Sequence, residues 1–295
     1  MQIGVIGIGN MGLGMALRLR DTGHPVVVCD IDAQRVALAS GCALAANPAK
    51  LAALCDLVIV GLVDAAQVEQ VLFGADGVAS LACGKPPLAA PPCVMLCPTI
   101  GPGDVEGFCA RLHVSGFAVI DAPMSGGPVR AREGSMSLMV ACEDAHFKRW
   151  EPVLHVLAQR LFHVSQRPGD GARTKLVNNL LAAINLVGAA EAMALAQKLG
   201  LDPSTTLSVI EASSGQSWMG SDRLHRALKG DTAPQAHMAL LAKDSALAIE
   251  LARGEGFDAA LGKVASQRFA AAAQSGLARA DDSAMWAFIA GRGGP

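Results

Sequence analysis

The sequence predicts an α/β fold, an N-terminal doubly wound parallel sheet followed by an all-α C-terminal domain. In the first half, short apolar runs of strand length alternate with segments of helical periodicity, an alternation typical of right-handed crossovers and a parallel sheet. After about residue 165 the strand pattern stops, and alanine, leucine and methionine dominate a series of helical segments. The 295 residues are enough for two domains, which we place at residues 1–164 and 165–295.

The elements of the first half follow in order along the chain. The predicted strands are apolar runs at residues 3–6, 25–29, 57–60, 93–97, 118–120 and 137–141. The predicted helices cover residues 11–21, 32–40 and 68–73. Prolines crowd residues 84–92, which predicts a surface loop before the fourth strand. We expect residues 137–141 to form the last strand.

The second half is predicted to be helical throughout. The predicted helices cover residues 175–199, 204–212, 239–251, 259–275 and 283–289. The uncharged stretch 176–190 contains three asparagines and is shorter than the about 20 apolar residues of a membrane span. We therefore expect a buried helix and no membrane association. The N-terminus lacks a basic region and cleavage site, so we expect a cytoplasmic location.

The composition narrows the class of protein. Hydrophobic residues make up 52% of the chain and charged residues 17%, which favours a folded core over disorder. The net charge is −2 with no basic run, so nothing favours a nucleic-acid partner. None of the eight cysteines forms a Cys-x-x-Cys pair, so we expect reduced thiols and no metal site.

A glycine-rich turn, Gly7-Ile8-Gly9-Asn10-Met11-Gly12, directly follows the first strand and opens the first helix. Such a turn lets the backbone approach a pyrophosphate, whose negative charge faces the N–H groups of the helix start. Asp30 ends the second strand, where its carboxylate can accept hydrogen bonds from both adenosine ribose hydroxyls and repel a 2′-phosphate. The next residue is Ile31 rather than an arginine. The sequence therefore predicts a Rossmann-type dinucleotide site and favours NAD over NADP.

Residues 121–128, with the sequence DAPMSGGP, predict an anion-binding loop. The hydroxyl of Ser125 and the backbone N–H groups of Gly126 and Gly127 form an array that suits a carboxylate or phosphate oxygen. A plain turn without a ligand is the alternative at this position.

Lys175 and Asn179 are spaced i, i+4 and therefore share one face of the long predicted helix. Their neighbours are apolar, so we expect the lysine to be partly buried. Burial disfavours the charged form of a lysine and lowers its pKa, so that it can exchange a proton with a substrate hydroxyl. A solvated lysine at a helix start is the alternative.

Together these segments resemble the β-hydroxyacid dehydrogenase family, whose members include 3-hydroxyisobutyrate dehydrogenase, tartronate semialdehyde reductase and L-threonate dehydrogenase. The resemblance covers nearly the whole chain. It rests on the loop 7–12, the segment 121–127, the pattern Gly169-x-Gly171-x-x-x-Lys175-x-x-Asn178-Asn179 and the pair Lys243-Asp244. It implies an NAD-dependent oxidoreductase that reversibly oxidises a small hydroxy carboxylic acid of the threonate, 3-hydroxyisobutyrate or glycerate type.

The resemblance also implies the roles of individual residues. Lys175 is the general acid/base and Asn179 contacts the substrate, whose carboxylate is held by Ser125, Gly126 and Gly127. The implied cofactor-binding residues are Gly7, Ile8, Gly9, Asn10, Met11, Gly12, Asp30, Leu62, Val63, Gln67, Thr99 and Lys243. Val63 and Pro98 depart from the family pattern, which often has proline and serine there.

Residues 214–223 and 281–283 look most like the threonate dehydrogenase branch of the family. Trp218, in the first of these segments, either lines the substrate end of the site or is an ordinary core tryptophan.

Alternative functions stay open. One is a reductase of a small semialdehyde or imine that uses NADPH; imine reductases usually lack the catalytic lysine, which is present here. Another is a non-catalytic NAD-binding sensor, which would leave Lys175 and Asn179 unexplained. The alanine-rich helical half has many small apolar faces, so we expect a homodimer or homotetramer.

Overall fold

The structure, a computed structural model, describes residues 1–82 and 92–292. The predicted loop at 84–92 therefore lies outside the described residues, apart from Pro92. The chain divides into two compact units, Met1–Lys175 and Leu176–Pro295. This division lies eleven residues beyond the predicted boundary at 164, within a helix that belongs to both units.

The first unit contains one sheet, which has nine strands in the described residues. They are β1 Ile3–Ile6, β2 Val26–Cys29, β3 Ala43–Leu44, β4 Leu57–Val60, β5 Cys93–Leu96, β6 Ala118–Asp121, β7 Met124–Ser125, β8 Met136–Ala141 and β9 Ala158–Ser165. Strands β3, β2, β1, β4, β5 and β6 lie side by side in that order and are all parallel. Beyond them β8 pairs antiparallel with β6 and β7, and parallel with β9.

Helices cover both faces of this sheet, as predicted for a doubly wound fold. They are α1 Asn10–Asp21, α2 Ala33–Leu38, α3 Pro48–Leu54, α4 Ala65–Phe73, α5 Pro102–Val114, α6 Gly127–Glu133 and α7 Asp144–Leu157. Val5 and Met15 belong to a core between one face and helices α1 and α7. Ile6, Val58 and Phe108 belong to a second core on the other face, with α3, α4 and α5. Successive strand residues thus enter opposite cores.

The prediction that residues 137–141 form the last strand is wrong. Strand β9 follows directly on α7 and pairs with β8 along most of its length. Only its first residue, Ala158, is fully buried, and the others are half-buried or exposed. A strand that is not packed on both faces needs no continuous apolar run, and the polar residues of β9 hid it from the pattern.

The second unit is helical. After α8 Asp170–Lys198, which begins in the first unit, its helices are α9 Pro203–Glu211, α10 Trp218–Leu228, α11 Met238–Gly254, α12 Ala260–Ala272 and α13 Met285–Ile289. Its core includes Leu186, Met193, Leu224 and Phe269. Helix α12 ends earlier than predicted, and Gly276 just beyond it has a φ of +98°.

Helix α8 is long and apolar enough to cross a membrane by length and composition. Its most apolar window is 44% buried inside the protein, and the core helix of a globular protein passes the same test. Lys175 and Asn179 lie on this helix and are buried.

Candidate active site

The glycine loop between β1 and α1 is built as a backbone cradle. Gly7 has a φ of +89°, which residues with a side chain rarely adopt. A Cβ at Gly12 would overlap the carbonyl oxygen of Gly7, so only glycine lets the helix start this close to the strand. At Gly9 the space around a Cβ is open, and no side chain caps α1 there. A helix start without a capping side chain or an acidic first turn suits a pyrophosphate, so this cradle fits NAD.

Asp30 lies just beyond β2 and is tied to the glycine loop. Its Oδ2 accepts a hydrogen bond from the N–H of Ile8 at 2.5 Å, and its Oδ1 accepts one from the N–H of Asp32 at 2.9 Å. Sequence reasoning gave no role to Arg35, which donates to Oδ1 of Asn10 at 3.1 Å and brings a cation to the same loop. The spacing of Arg35 from the motif offered no signal for this contact.

The other predicted cofactor residues of the first unit also follow the carboxyl ends of parallel strands. Leu62 follows β4, and its Cδ2 lies 2.8 Å from the position of a Cβ on Gly7. Gln67 accepts a hydrogen bond from the N–H of Val63 at 3.2 Å, and Thr99, three residues after β5, is half-buried. Strand β1 lies between β2 and β4, where the strand order reverses, and ligands bind at that point of doubly wound sheets.

Met11, the remaining residue of the predicted loop, is the second residue of α1 and packs against the core on the α1 side of the sheet.

The predicted substrate loop follows β6 at the same edge of the sheet. Ser125 lies in β7, and Gly126 and Gly127 have φ angles of +141° and +76°, which favour glycine. Helix α6 begins at Gly127 and packs on α1, where a Cβ on Gly14 would lie 3.0 Å from the Cβ of Ala131. The helix after the substrate loop thus contacts the helix after the glycine loop, which fixes the two loops relative to each other.

Lys175 and Asn179 lie one turn apart on α8, with exposed fractions of 7% and 6%. Lys175 is therefore not a solvated lysine at a helix start. Both ends of the Asn179 side chain are held: Nδ2 donates to Oδ2 of Asp244 at 2.7 Å, and Oδ1 accepts from Nδ2 of Asn178 at 3.1 Å. The amide is thereby fixed in one orientation.

Asp244 joins two predicted site residues of the second unit. Besides accepting from Asn179, it forms an ion pair with Lys243, with Oδ1 2.7 Å from Nζ. Sequence reasoning assigned Asp244 no role, although it is the neighbour of Lys243 in the motif. The structure thus links the predicted substrate amide to the predicted cofactor lysine through one carboxylate.

The segments 214–223 and 281–283, which resemble the threonate dehydrogenase branch, meet in a buried ion-pair cluster that also includes Arg226. Nε of Arg223 donates to Asp282 at 2.5 Å, and Nη1 of Arg226 donates to Asp281 at 2.9 Å. Burial raises the pKa of Asp282 to about 6, although Arg223 acts to lower it. Trp218 is 49% exposed, so the reading of this residue as a core tryptophan is wrong.

No group of three His, Cys, Asp or Glu side chains in residues 1–82 and 92–292 could hold a metal ion. The cysteines of this described part are free thiols, most of them buried. Burial is the main cause that raises their thiol pKa, and to about 12 at Cys55, so the thiols stay protonated at neutral pH.

Two family models match consecutive parts of the chain. The NAD binding domain of 6-phosphogluconate dehydrogenase matches residues 2–165, and the NAD-binding domain of NADP-dependent 3-hydroxyisobutyrate dehydrogenase matches residues 169–289.

Several relatives that match most of the chain are named as enzymes of hydroxy acids. The chain is 38% identical to an L-threonate dehydrogenase of Cupriavidus necator over 96% of this chain and 94% of the relative. It is 30% identical to a 2-hydroxy-3-oxopropionate reductase of Escherichia coli over 97% and 96% of the two chains. A crystal structure of a 3-hydroxyisobutyrate dehydrogenase from Salmonella typhimurium superposes with a TM-score of 0.87 at 33% identity, covering 98% of this chain and 99% of that one.

Proposed function

The chain belongs to the β-hydroxyacid dehydrogenase family, and we propose that it oxidises a small hydroxy carboxylic acid reversibly with NAD, using Lys175 as the general acid/base. The observation that carries this proposal is the burial of Lys175 one helical turn from the oriented amide of Asn179. A buried amine and a fixed amide on one helix face suit a single small hydroxyl group.

Different residues of this chain bind the substrate and transfer the proton. Ser125, Gly126 and Gly127 bind the substrate carboxylate through a hydroxyl and two backbone N–H groups. Asn179 orients the substrate hydroxyl, and Nζ of neutral Lys175 takes its proton. When bound, NAD supplies the hydride acceptor. In the reverse direction, protonated Lys175 returns the proton to the carbonyl oxygen of the oxidised acid.

The glycine cradle and Asp30 support NAD as the preferred cofactor. Ile8 and Asp32 hold the carboxylate of Asp30 at the end of β2. There it would accept hydrogen bonds from the adenosine ribose, and its negative charge would oppose a 2′-phosphate. We also assign Lys243 to cofactor binding. The activities of the relatives favour an enzyme over the nucleotide sensor, and the presence of Lys175 favours a hydroxy acid over an imine.

L-threonate is the first candidate substrate, because the relative from Cupriavidus necator is named for it and residues 214–223 and 281–283 resemble the threonate dehydrogenase branch. The test is a steady-state screen of L-threonate, 3-hydroxyisobutyrate, glycerate and serine with NAD and with NADP. We expect NAD reduction with at least one of these acids and the highest kcat/KM with L-threonate. Absence of turnover with every acid would overturn the proposal.

We also propose a cytoplasmic homodimer or homotetramer. Support for assembly comes from α8, on which the large apolar side chains of Val177, Leu181 and Leu195 are more than half exposed. Buried free thiols fit a reducing compartment. Light scattering in solution measures the assembly, and a monomer at micromolar concentration would contradict this part of the proposal.

A further inference from the structure

Asp121 is a buried carboxylate to which the proposed reaction gives no role. It ends β6 and is only 2% exposed. Its backbone is held on both sides of the sheet, because it is in register with Leu96 of β5 and Ala141 of β8. The backbone at Asp121 is therefore fixed by pairing with strands on either side.

The partners of this carboxylate are backbone N–H groups at the start of α8. Oδ2 of Asp121 accepts hydrogen bonds from the N–H of Gly169 at 3.0 Å and from the N–H of Ala172 at 3.2 Å. The first N–H groups of a helix have no partners within the helix, and the positive end of the helix dipole favours an anion there. A side chain on the sheet thus does for α8 what a local capping residue does for other helices.

The glycines of the pattern Gly169-x-Gly171 permit this contact. A Cβ on Gly171 would lie 2.9 Å from Oδ2 of Asp121 and 2.7 Å from the carbonyl oxygen of Met139. Gly169 has a φ of +88°, which favours glycine. The missing side chain at Gly171 and the backbone conformation at Gly169 therefore allow the start of α8 to contact the Asp121 carboxylate.

We propose that Asp121 is a positioning residue of the active site, which fixes the first turn of α8, and with it Lys175, relative to the substrate loop at Ser125. Lys175 lies three residues beyond Ala172 on α8, and Ser125 lies four residues beyond Asp121 on the chain. The side chain of Asp121 therefore connects the segment that contains Lys175 with the segment that binds the substrate carboxylate. This connection fixes the distance between the acid/base and the bound substrate. This inference rests on the proposed role of Lys175.

The electrostatics of the site support positioning over simple stabilisation. Burial raises the pKa of Asp121 to about 6, although the N–H groups of Ala172, Gly169 and Gly171 act to lower it. The ionised form is thus held in place at a cost in stability. A neutral acceptor at this position would cap α8 without that cost, so stabilisation of the helix start alone does not account for Asp121.

The test compares Asp121→Ala and Asp121→Asn with Asp202→Ala. Asp202 is a matched control, because its carboxylate caps α9 by accepting the N–H of Thr205 at 2.8 Å in the second unit. For each variant kcat and KM for the hydroxy acid, the Kd for NAD and the melting temperature are measured.

We expect Asp121→Ala to lower kcat by about 100-fold, the effect of misplacing a catalytic group by 1 Å, while the Kd for NAD stays within about twofold. Asp121→Asn, which keeps one acceptor oxygen, should lose less activity. Asp202→Ala should lower the melting temperature without changing kcat. An unchanged kcat in both Asp121 variants would overturn the inference, as would a loss of NAD affinity equal to the loss of kcat.

If Asp121→Ala does not fold, the kinetics of Asp121→Asn test the inference. If neither variant folds, the Asp121 carboxylate is required for folding and the positioning role is rejected. Failure of the proposed function is distinguishable from failure of this inference. It shows either as no turnover of the wild-type protein with any of the acids or as undiminished turnover of Lys175→Ala, whatever the Asp121 variants do.

Discussion

Asn179 donates a hydrogen bond to Asp244 across 2.7 Å, although 65 residues separate the two along the chain. The same carboxylate pairs with Lys243. One acidic side chain therefore orients the predicted substrate amide and balances the charge of the predicted cofactor lysine.

Replacing Asp244 should weaken the binding of both the hydroxy acid and NAD. We expect Asp244→Ala to raise KM for the hydroxy acid and for NAD by about tenfold each, because truncating one member of a buried polar pair costs about 1–3 kcal/mol. Steady-state kinetics with each ligand varied in turn measures this. Asp258→Ala, which removes an exposed ion pair with Lys263, is the control and should change neither KM. An effect on one ligand alone would show that Asp244 does not couple them.

Ser125→Ala should weaken substrate binding selectively. A hydrogen bond to a charged group contributes about 1.5–3 kcal/mol, so we expect KM for the hydroxy acid to rise by at least tenfold with an unchanged Kd for NAD. Ser137→Ala is the matched control, since Ser137 of β8 stands opposite Ser125 in the sheet. Equal kinetic effects of the two substitutions would remove Ser125 from the substrate site.

Asp30 should determine the choice between NAD and NADP. We expect the wild-type protein to have a higher kcat/KM with NAD, and Asp30→Asn combined with Ile31→Arg to shift the ratio towards NADP by at least about tenfold, which corresponds to about 1.4 kcal/mol. Arg35→Ala in that double variant should reverse part of the shift, because Arg35 lies at the glycine loop. A wild-type preference for NADP would contradict the assignment of Asp30.

The free energy of unfolding should depend on pH between pH 4 and pH 7 because Asp121 titrates in this range. Its pKa is raised from 3.8 to about 6 in the folded state, so its contribution is fully present below pH 3.8 and is lost as the pH rises through about 6. The size of this loss is on the order of 3 kcal/mol in the free energy of unfolding. Denaturant unfolding over this pH range should show a shallower pH dependence for Asp121→Asn than for the wild type, and identical profiles would contradict the prediction.

Within the described residues, the groups that interact electrostatically with Asp121 keep their protonation states across this pH range. Asp170 of α8 stays ionised because hydrogen bonds, first from Arg167, lower its pKa. Thiols with raised pKa values lie on the elements around it, and burial is the main cause of each shift; they are Cys97 after β5, Cys109 of α5 and Cys142 after β8.

The parallel core of the sheet could be predicted from the sequence because its strands are buried on both faces. β1, β2, β4 and β5 are fully buried and read as continuous apolar runs. Helix α5 escaped prediction although Pro102 at its start is a readable signal. Its interior glycines, Gly103 and Gly107, lower helix propensity, and packing against the sheet overrides that local preference.

In the candidate site, too, local sequence patterns predicted single motifs but not the contacts between them. The positions of the glycine loop and of Asp30 were predictable because a strand and a helix fix their spacing, whereas their role in cofactor binding stays a prediction. The contacts that connect motifs could not be predicted from the sequence. Asp121 and Gly169 are 48 residues apart, and no local pattern marks an acid that caps a distant helix. The residues that hold the motifs in place became visible only in three dimensions.

The most direct test of the central claim is the turnover of Lys175→Ala compared with its affinity for NAD. General acid/base catalysis contributes about 10²–10⁴-fold, so we expect kcat to fall within that range while the Kd for NAD stays within about twofold of the wild type. Lys198→Ala, at the other end of α8, is the control and should retain full activity. Undiminished turnover of Lys175→Ala with intact NAD binding would contradict the account.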